Sequence, residues 1–241
     1  MTKESEKRCK KLKIGGFTLI LVLWGFVLFP WPQVEAARPL TADDVGTVER
    51  GAFELEMGYD LARDEDHTQN QSLGMSLKHG LIQRFDLCIA LPYQIKPDEE
   101  FGDAEVGIKY LLLRETGNLP ALCLTFGCEL GSPECALAGV ASKEIGYLAL
   151  HINLGYMASG FTGEDGMTVY AGAIEYALSK SFTLAAELAG EADAHENVSE
   201  ALVGGNYRIF EQVVLDFAVG KGVDGATAKE GKATLGLTYG F

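Results

Sequence analysis

The sequence predicts an all-β fold: an antiparallel, up-and-down transmembrane β-barrel of about 12 strands. Three observations predict it. The chain begins with an export signal, alternates apolar and polar residues from Gly51 onward, and places aromatic residues where the alternating segments end. After residue 36 the chain has no apolar run long enough for a membrane helix. If this chain enters a membrane, it must therefore do so as a closed barrel, which pairs every backbone polar group.

The first 36 residues have the parts of a secretory signal peptide. Six basic residues precede the apolar run IGGFTLILVLWGFVLF (residues 14–29), and Val34 and Ala36 supply small residues before a cleavage site. The apolar run is short against the ~20 residues of a spanning helix. We expect cleavage after Ala36, with an uncleaved transmembrane anchor as the alternative.

Cleavage at that point would leave a strongly acidic chain. Residues 1–36 hold six of the 20 basic residues and three of the 34 acidic ones, so the mature charge is 14 minus 31, or −17. This charge repels phosphate backbones and anionic surfaces, so we expect no nucleic-acid partner. No CxxC or His-rich spacing is present, and we expect no metal site and no cofactor.

The strand pattern is clearest in AFELEMGYDL, where Phe53, Leu55 and Met57 alternate with small or acidic residues. In a lipid-embedded barrel, the apolar set faces outward and the other set faces the lumen. Eleven such segments are evident. Single-chain bacterial barrels have an even number of strands, because both termini face the periplasm. A twelfth strand is therefore expected.

Turn chemistry locates the missing strand. Tight connections such as HGLIQR and LSKS predict periplasmic turns, whereas acidic stretches such as KPDEEFGD and GEADAHEN predict outer loops. When the connections are assigned alternately to the two ends of the barrel, once from each end of the chain, the two assignments agree only if residues 135–142 (CALAGVAS) form one more strand. Residues 51–241 then form one barrel domain. Residues 37–50 either fold inward as a plug or stay in the periplasm.

A soluble β-sandwich would show the same alternation, but it gives no reason for aromatic residues at the strand ends. Five of them lie beside the predicted periplasmic turns: Phe85, Tyr147, Phe182, Phe210 and Phe241. Four lie near the opposite ends: Tyr59, Tyr93, Tyr156 and Tyr170. This distribution matches the two interfacial girdles of membrane barrels.

Several stretches resemble the outer-membrane transporter family named for the meta-pathway of phenol degradation. They are GAFELEMGY, HGLIQRFDLCIALPY, GDAEVGIKYLL, ASKEIGYLALHINLGY, ALSKSFTLAAELAGE and LGLTYGF. The resemblance extends in order over nearly all of the mature chain and consists of strand and turn patterns. It implies an outer-membrane transporter, and the family name implies uptake of aromatic compounds. One departure lies between Cys123 and Cys135, where Gly131 and Pro133 stand in reversed order.

Polar residues at inward positions are the candidate functional set. Because every second residue of a strand faces the lumen, the alternation places ten polar residues inward: Glu54, Glu56, Asp103, Glu105, Lys109, His151, Asn153, Glu175, Glu187 and Asp216. They predict a channel for passive uptake of an unidentified small solute, in which the lumen orients polar or cationic solutes and repels anions. The alternative is a network of ion pairs that fills a narrow barrel, for example between Lys109 and neighbouring carboxylates.

Two further classes compete with a channel. An outer-membrane lipid hydrolase needs a serine nucleophile beside a histidine. His151 and Asn153 share a face, but Ser142 lies across a turn and the shared face is lumenal, away from lipid. We therefore expect no catalytic residues and no enzyme. The other class is a structural barrel that conducts nothing, and an occluded lumen would distinguish it.

Two local features complete the expectations. Cys128 and Cys135 flank a short loop and are the cysteines best placed for a disulfide in an oxidising compartment, with free thiols as the alternative. At the C-terminus, Leu237, Tyr239 and Phe241 form the lipid face of the last strand, as in a signal read by the barrel assembly machinery. We expect an outer-membrane location in a Gram-negative-type envelope, with membrane lipid and that machinery as partners.

Overall fold

Residues that alternate in the sequence form the strands of the structure. It is a computed structural model that describes residues 38–64, 66–161, 165–225 and 229–241. In chain order its strands are β1 Phe53–Arg63, β2 Gln69–Ile82, β3 Phe85–Lys96, β4 Glu100–Phe101, β5 Glu105–Leu113, β6 Ala121–Glu129, β7 Cys135–Ile145, β8 Leu148–Ala158, β9 Met167–Ala177, β10 Phe182–Ala192, β11 Asn197–Phe210, β12 Val213–Asp224 and β13 Gly231–Gly240.

The strands form one closed antiparallel ring. Each long strand pairs with the next along the chain, and β1 pairs with both β2 and β13, which closes the ring. The short β4 pairs only with the end of β3. Without β4 the barrel has 12 strands, so the predicted fold class is confirmed. The strand expected at residues 135–142 is present as β7 and continues to Ile145.

The two ends of the barrel differ in their connections. Two-residue turns at 83–84, 146–147 and 211–212 lie at one end, which we call the turn end. Gly146 has a φ of 67°, a backbone conformation that most residues avoid. The opposite end, the loop end, carries connections such as 130–134 and 193–196. Strand order and turn lengths therefore agree with the predicted assignment of turns and loops.

The two faces of the sheet differ as the alternation predicts. Inward positions hold small or buried residues, and the side chain of Leu202 is 1% exposed. Outward positions hold large apolar residues that stay exposed, such as Ile152 at 65% and Leu154 at 62%. A water-soluble sandwich would bury this apolar face, so its exposure all round the ring indicates a lipid-facing surface.

Within the part of the chain that the structure describes, no helix is long and apolar enough to cross a membrane.

The predicted signal peptide, residues 1–36, lies outside the described residues.

Candidate functional site

A stretch of chain crosses the inside of the barrel. Residues Arg38–Glu49, which we call the lumen segment, precede β1 and contact inward side chains of strands around the ring. The segment joins the barrel at the turn end, where Arg50 pairs with Gly80. The sequence left open whether this stretch folds into the barrel or stays in the periplasm. In the structure it lies inside the barrel.

The middle of the lumen segment is held by its backbone. Glu187 on β10 accepts hydrogen bonds from the backbone N–H groups of Thr41 at 3.0 Å and Ala42 at 2.5 Å. Asn153 on β8 accepts one from the N–H of Asp43 at 2.6 Å and donates one to its carbonyl at 2.8 Å. Because backbone groups are bound, these contacts position the segment whatever side chains it carries.

Lys109 on β5 holds two carboxylates of the segment. Its Nζ lies 2.8 Å from Asp43 Oδ1 and 3.3 Å from Asp44 Oδ1. The sequence anticipated partners for Lys109 among the wall carboxylates, but the partners come from the lumen segment. Burial alone would raise the pKa of Asp44, but the ammonium groups of Lys109 and Lys78 and the hydrogen bond from the Gly46 N–H together outweigh burial and lower the pKa below 3.8.

Apolar contacts complete the fit of the segment on one side. Leu40 and Ala42 pack against inward alanines on β9 and β10, which are Ala171, Ala173 and Ala189. Nearer the turn end, the carboxylate of Asp86 on β3 accepts a hydrogen bond from the N–H of Val48 at 2.9 Å. Small residues on this wall leave the space that the segment fills.

Arg38 is bound to a different part of the wall, on β12, β13 and β1. Its Nε lies 3.5 Å from Asp216 Oδ1, and its Nη2 donates to Thr234 Oγ1 at 2.6 Å and lies 3.9 Å from Asp60 Oδ1. Asp216 is fully buried, with 0% of its side chain exposed. Arg38 is therefore the main positive charge facing a carboxylate that water does not reach.

The lumen segment lies between two of the cavities that the described residues line, each of about 420 Å³. The cavity toward the loop end is lined by Thr41 and Asp43 of the segment, by Asn153, and by small or apolar wall residues such as Val140 and Val169. The cavity toward the turn end is lined by Asp44, Val45 and Gly46 of the segment, and by His151 and Glu175 of the wall. Asp43 and Asp44 are adjacent in the chain but therefore line different cavities, on opposite sides of the lumen segment.

Further charged groups pair along the wall itself. Lys78 Nζ lies 3.2 Å from Glu54 Oε1 and 2.9 Å from Glu56 Oε1, between β1 and β2. Lys232 Nζ lies 2.8 Å from Glu200 Oε1, between β13 and β11. The candidate set omitted both lysines, although each stands at an inward position of its strand. Extending the alternation of inward and outward positions to the ends of those strands would have identified both lysines as inward residues.

Ser142 and His151 stand directly opposite each other on β7 and β8. The Ser142 Oγ lies 2.8 Å from His151 Nδ1, and both side chains are buried. A turn does separate this serine from the histidine in the chain, as expected, but it does not keep them apart, because β7 extends past Ser142 and pairs it with His151 across the hairpin. The pair nevertheless lines the turn-end cavity rather than the lipid face.

The ten sequence candidates differ in where the structure places them. Six contact the lumen segment or a wall lysine: Glu54, Glu56, Lys109, Asn153, Glu187 and Asp216. His151 and Glu175 line the turn-end cavity. Glu105 begins β5 at the loop end, exposed, with its carboxylate over the inward Gly127. Asp103 is the exception.

Asp103 corrects the parity argument. It lies between β4 and β5, outside any strand, and is exposed with its carboxylate beside Gly131 in the next loop. The alternation was extended to two residues before the start of β5 at Glu105, where the backbone is not a strand. Asp103 therefore belongs to the loop end and not to the wall of the lumen.

Cys128 and Cys135 are joined by a disulfide in the structure. The two residues are directly paired where β6 and β7 meet at the loop end. Cys88 and Cys123 are free thiols. The bridge clips a loop that contains Gly131 and Pro133, the stretch where the sequence departs from the pattern of the resembled family.

Comparison with known proteins gives a structural match and no match in sequence. No family model matches the chain, and no curated protein matches it. A crystal structure of an outer-membrane channel from Pseudomonas putida F1 is similar with a TM-score of 0.66 and 12% identity, over 84% of this chain and 100% of that one. The NanC porin is similar with a TM-score of 0.55 and 12% identity, over 78% and 98%. The KdgM porin is similar with a TM-score of 0.55 and 17% identity, over 77% and 99%.

The fold is that of an outer-membrane β-barrel. At such low sequence identity, the similarity shows the architecture of this chain but does not indicate what it binds. Within this outer-membrane β-barrel fold, the exposed apolar ring is the lipid face. The features that bear on function are therefore this chain's own, and the lumen segment is the foremost of them.

Proposed function

We propose that the protein is an outer-membrane channel for passive uptake of small solutes, and that the lumen segment is its gate. The observation that carries the proposal is the partition of the lumen into two cavities by Arg38–Glu49. Solute would enter from the loop end at the cell surface and leave at the turn end in the periplasm. Export through a signal peptide and insertion by the barrel assembly machinery belong to the same proposal.

Charge supports a channel for neutral or cationic solutes. Carboxylates outnumber ammonium groups along the wall, with Glu54, Glu56, Asp86, Glu187 and Asp216 facing inward. A charged ring of one sign selects against ions of that sign. The loop-end cavity also has an apolar side with Val140, Val169 and Tyr170, which would accept a solute with an apolar body. Aromatic cargo, implied by the resemblance to the phenol-degradation family, is compatible with that side.

The gate would open by moving the segment, because the strands that surround it form a closed ring. Lys109 is the contact best suited to a test, since it binds Asp43 and Asp44 together. Breaking a buried ion pair by removing one partner costs about 3–5 kcal/mol. Loss of Lys109 should therefore lower the ratio of seated to displaced segment by about a hundredfold or more.

The experiment is single-channel recording of the refolded mature protein in planar bilayers. We expect small, brief currents from the wild type and longer or larger openings from Lys109→Met. Lys143→Met is the matched control, because Lys143 pairs with Glu115 beside a turn and not with the segment. The control should behave as wild type.

A structural barrel that conducts nothing is the second candidate, and the number of contacts that hold the lumen segment favours it. Deleting residues 38–49 separates the two candidates. A gated channel should then conduct continuously, and solutes should enter proteoliposomes. Absence of current and of flux in the wild type, in Lys109→Met and in the deletion would establish the structural barrel.

A further inference from the structure

Arg38 lies in a wall pocket that is built from glycines. Asp216 pairs with Gly236, Gly236 with Gly58, and Gly58 with Gly74, so these residues form one row across β12, β13, β1 and β2. A Cβ added at Gly58 would overlap the guanidinium of Arg38. A Cβ added at Gly236 would overlap Arg38 Nε and the Asp216 carboxylate. The guanidinium therefore lies flat on a floor without side chains.

Oxygen atoms flank that floor on both sides. The next row toward the loop end holds Thr234 opposite Asp60, and the next row toward the turn end holds Thr238 opposite Glu56. Thr234 accepts the 2.6 Å hydrogen bond from Arg38 Nη2. A guanidinium is planar and carries its N–H donors around its edge. The pocket places oxygen acceptors around that edge.

Arg38 leaves several of these acceptors unused. Among the described residues, none donates a hydrogen bond to either carboxylate oxygen of Asp216, to Asn206 Oδ1 or to the hydroxyl of Thr238. Arg38 Nε also lacks an acceptor there, although it lies 3.5 Å from Asp216 Oδ1. A buried polar group without a partner costs about 1–3 kcal/mol. The pocket therefore has room for more donors than the tethered Arg38 delivers.

We propose that this guanidinium pocket is a solute-binding subsite of the lumen, which takes solutes bearing a planar guanidinium or amidinium group in exchange with Arg38. The inference rests on the proposed function, because a solute reaches the pocket through the lumen. A free guanidinium can approach Asp216 with two parallel hydrogen bonds, a geometry that an ammonium ion cannot form. A substituent has space beside Gly58, since a Cβ added at Gly74 meets no atom within 4 Å.

Arg38 competes with such a solute as a tethered ligand. A group on a short flexible tether acts at an effective concentration of roughly millimolar. The wild type should therefore bind a free guanidinium weakly, and removal of the Arg38 side chain should strengthen the binding. The sign of this change does not by itself identify the pocket, because losing a positive charge from an acidic lumen would strengthen the binding of every cation. Selectivity for planar cations over ammonium ions does identify it.

The test is isothermal titration of the full mature Arg38→Ala protein in detergent with methylguanidinium. We expect saturable binding that is roughly tenfold tighter than to the wild type, and methylammonium should bind roughly tenfold more weakly than methylguanidinium. Adding Asp216→Asn to Arg38→Ala should weaken methylguanidinium binding by roughly tenfold or more. Adding Glu105→Gln instead removes an equal charge at the loop end, and binding should stay within about twofold.

Three outcomes would overturn the proposal. They are equal binding of methylammonium and methylguanidinium, equal losses with Asp216→Asn and Glu105→Gln, and no binding by a correctly folded Arg38→Ala barrel. Heat-modifiable migration on gels reports the folded barrel. If Arg38→Ala does not fold, Arg38→Lys replaces it, because lysine keeps the charge but lacks the planar fork. Arg38→Lys should also bind methylguanidinium more tightly than the wild type.

The calorimetric result does not depend on conduction, so the two proposals can fail separately. If no variant conducts but Arg38→Ala binds methylguanidinium through Asp216, the uptake function is wrong and the pocket stands. If the channel conducts and the pocket does not bind, the reverse holds. If both proposals are right, methylguanidinium should reduce the current through Arg38→Ala at the concentrations that saturate binding.

Discussion

Phe53 and Phe241 close the barrel by exchanging both of their backbone hydrogen bonds. The N–H of Phe53 donates to the carbonyl of Phe241 at 2.8 Å, and the N–H of Phe241 donates to the carbonyl of Phe53 at 2.9 Å. Their rings stack with centroids 5.5 Å apart. Phe241 thus extends the pairing of β13 with β1 by one more residue at the turn end, beyond the ladder that runs from Glu54 and Gly240 to Arg63 and Gly231.

Deleting Phe241 should lower the amount of assembled barrel. The deletion removes both hydrogen bonds, each worth about 0.5–1.5 kcal/mol, and the ring contact. The measurement is the heat-modifiable fraction in isolated outer membranes. Phe241→Leu is the matched control, because it keeps the backbone bonds and loses only the ring, so its effect should be smaller. Unchanged assembly after the deletion would contradict this role for Phe241.

Gly58→Ala should open the gate, whereas Gly74→Ala should not. The two glycines are directly paired and both face inward, but only the Cβ at Gly58 would overlap the guanidinium of Arg38. Gly58→Ala should therefore displace Arg38 and raise the mean current, and we expect the same direction of change from Arg38→Ala, which removes the Arg38 contacts with the wall. Single-channel recording of the four proteins checks this. Equal currents from the two glycine variants would show that the glycine floor does not position Arg38.

The seating of the lumen segment should depend on pH through Asp44. Its pKa in the folded protein is below 3.8. A lowered pKa means that the carboxylate contributes stability above the unfolded value and loses it as the pH falls through the folded one. The current should therefore stay low from neutral pH to about pH 4 and rise below it. Asp44→Asn should lack this step. A rise already near pH 6 that Asp44→Asn abolishes would be inconsistent with a lowered pKa.

The disulfide predicts a count of reactive thiols. The denatured mature chain should bind two maleimide groups before reduction, at Cys88 and Cys123, and four after reduction. Cys128→Ser should release the partner thiol at Cys135 and raise the first count to three. Mass spectrometry reads each number directly. Four labels on the unreduced wild type would mean that the bridge does not form.

Strand faces were predictable because the side-chain period in a strand is two, and apolar residues identify the lipid side. Leu237 and Thr238 are adjacent in the sequence and lie on opposite faces of β13, as the pattern requires. The same rule placed Glu187 and Asp216 inward without any knowledge of their partners. The rule failed at Asp103, because side chains alternate between the two faces only within a strand and Asp103 lies outside one.

The lumen segment could not be placed from the sequence, since ARPLTADDVGTVE has no periodicity that would assign it to either side of the wall. Its position depends on contacts such as Asp43 with Lys109, which join residues far apart in the chain. Ser142 and His151 were missed for a related reason. Their contact depends on the register between β7 and β8, and a strand of unknown length leaves that register open.

The lumen segment is also a charged body inside a membrane. Between Arg38 and Glu49 it carries one positive and three negative side chains, a net charge of −2. An electric field acts on each such charge with about 2.3 kcal/mol per 100 mV across the full bilayer. Because the segment is joined to the barrel at Arg50, a potential positive at the loop end would draw it deeper, and the opposite polarity would push it toward the turn end. If the lumen segment gates the channel as proposed, we therefore expect conduction to rectify, with the sign of the applied voltage setting the position of the segment.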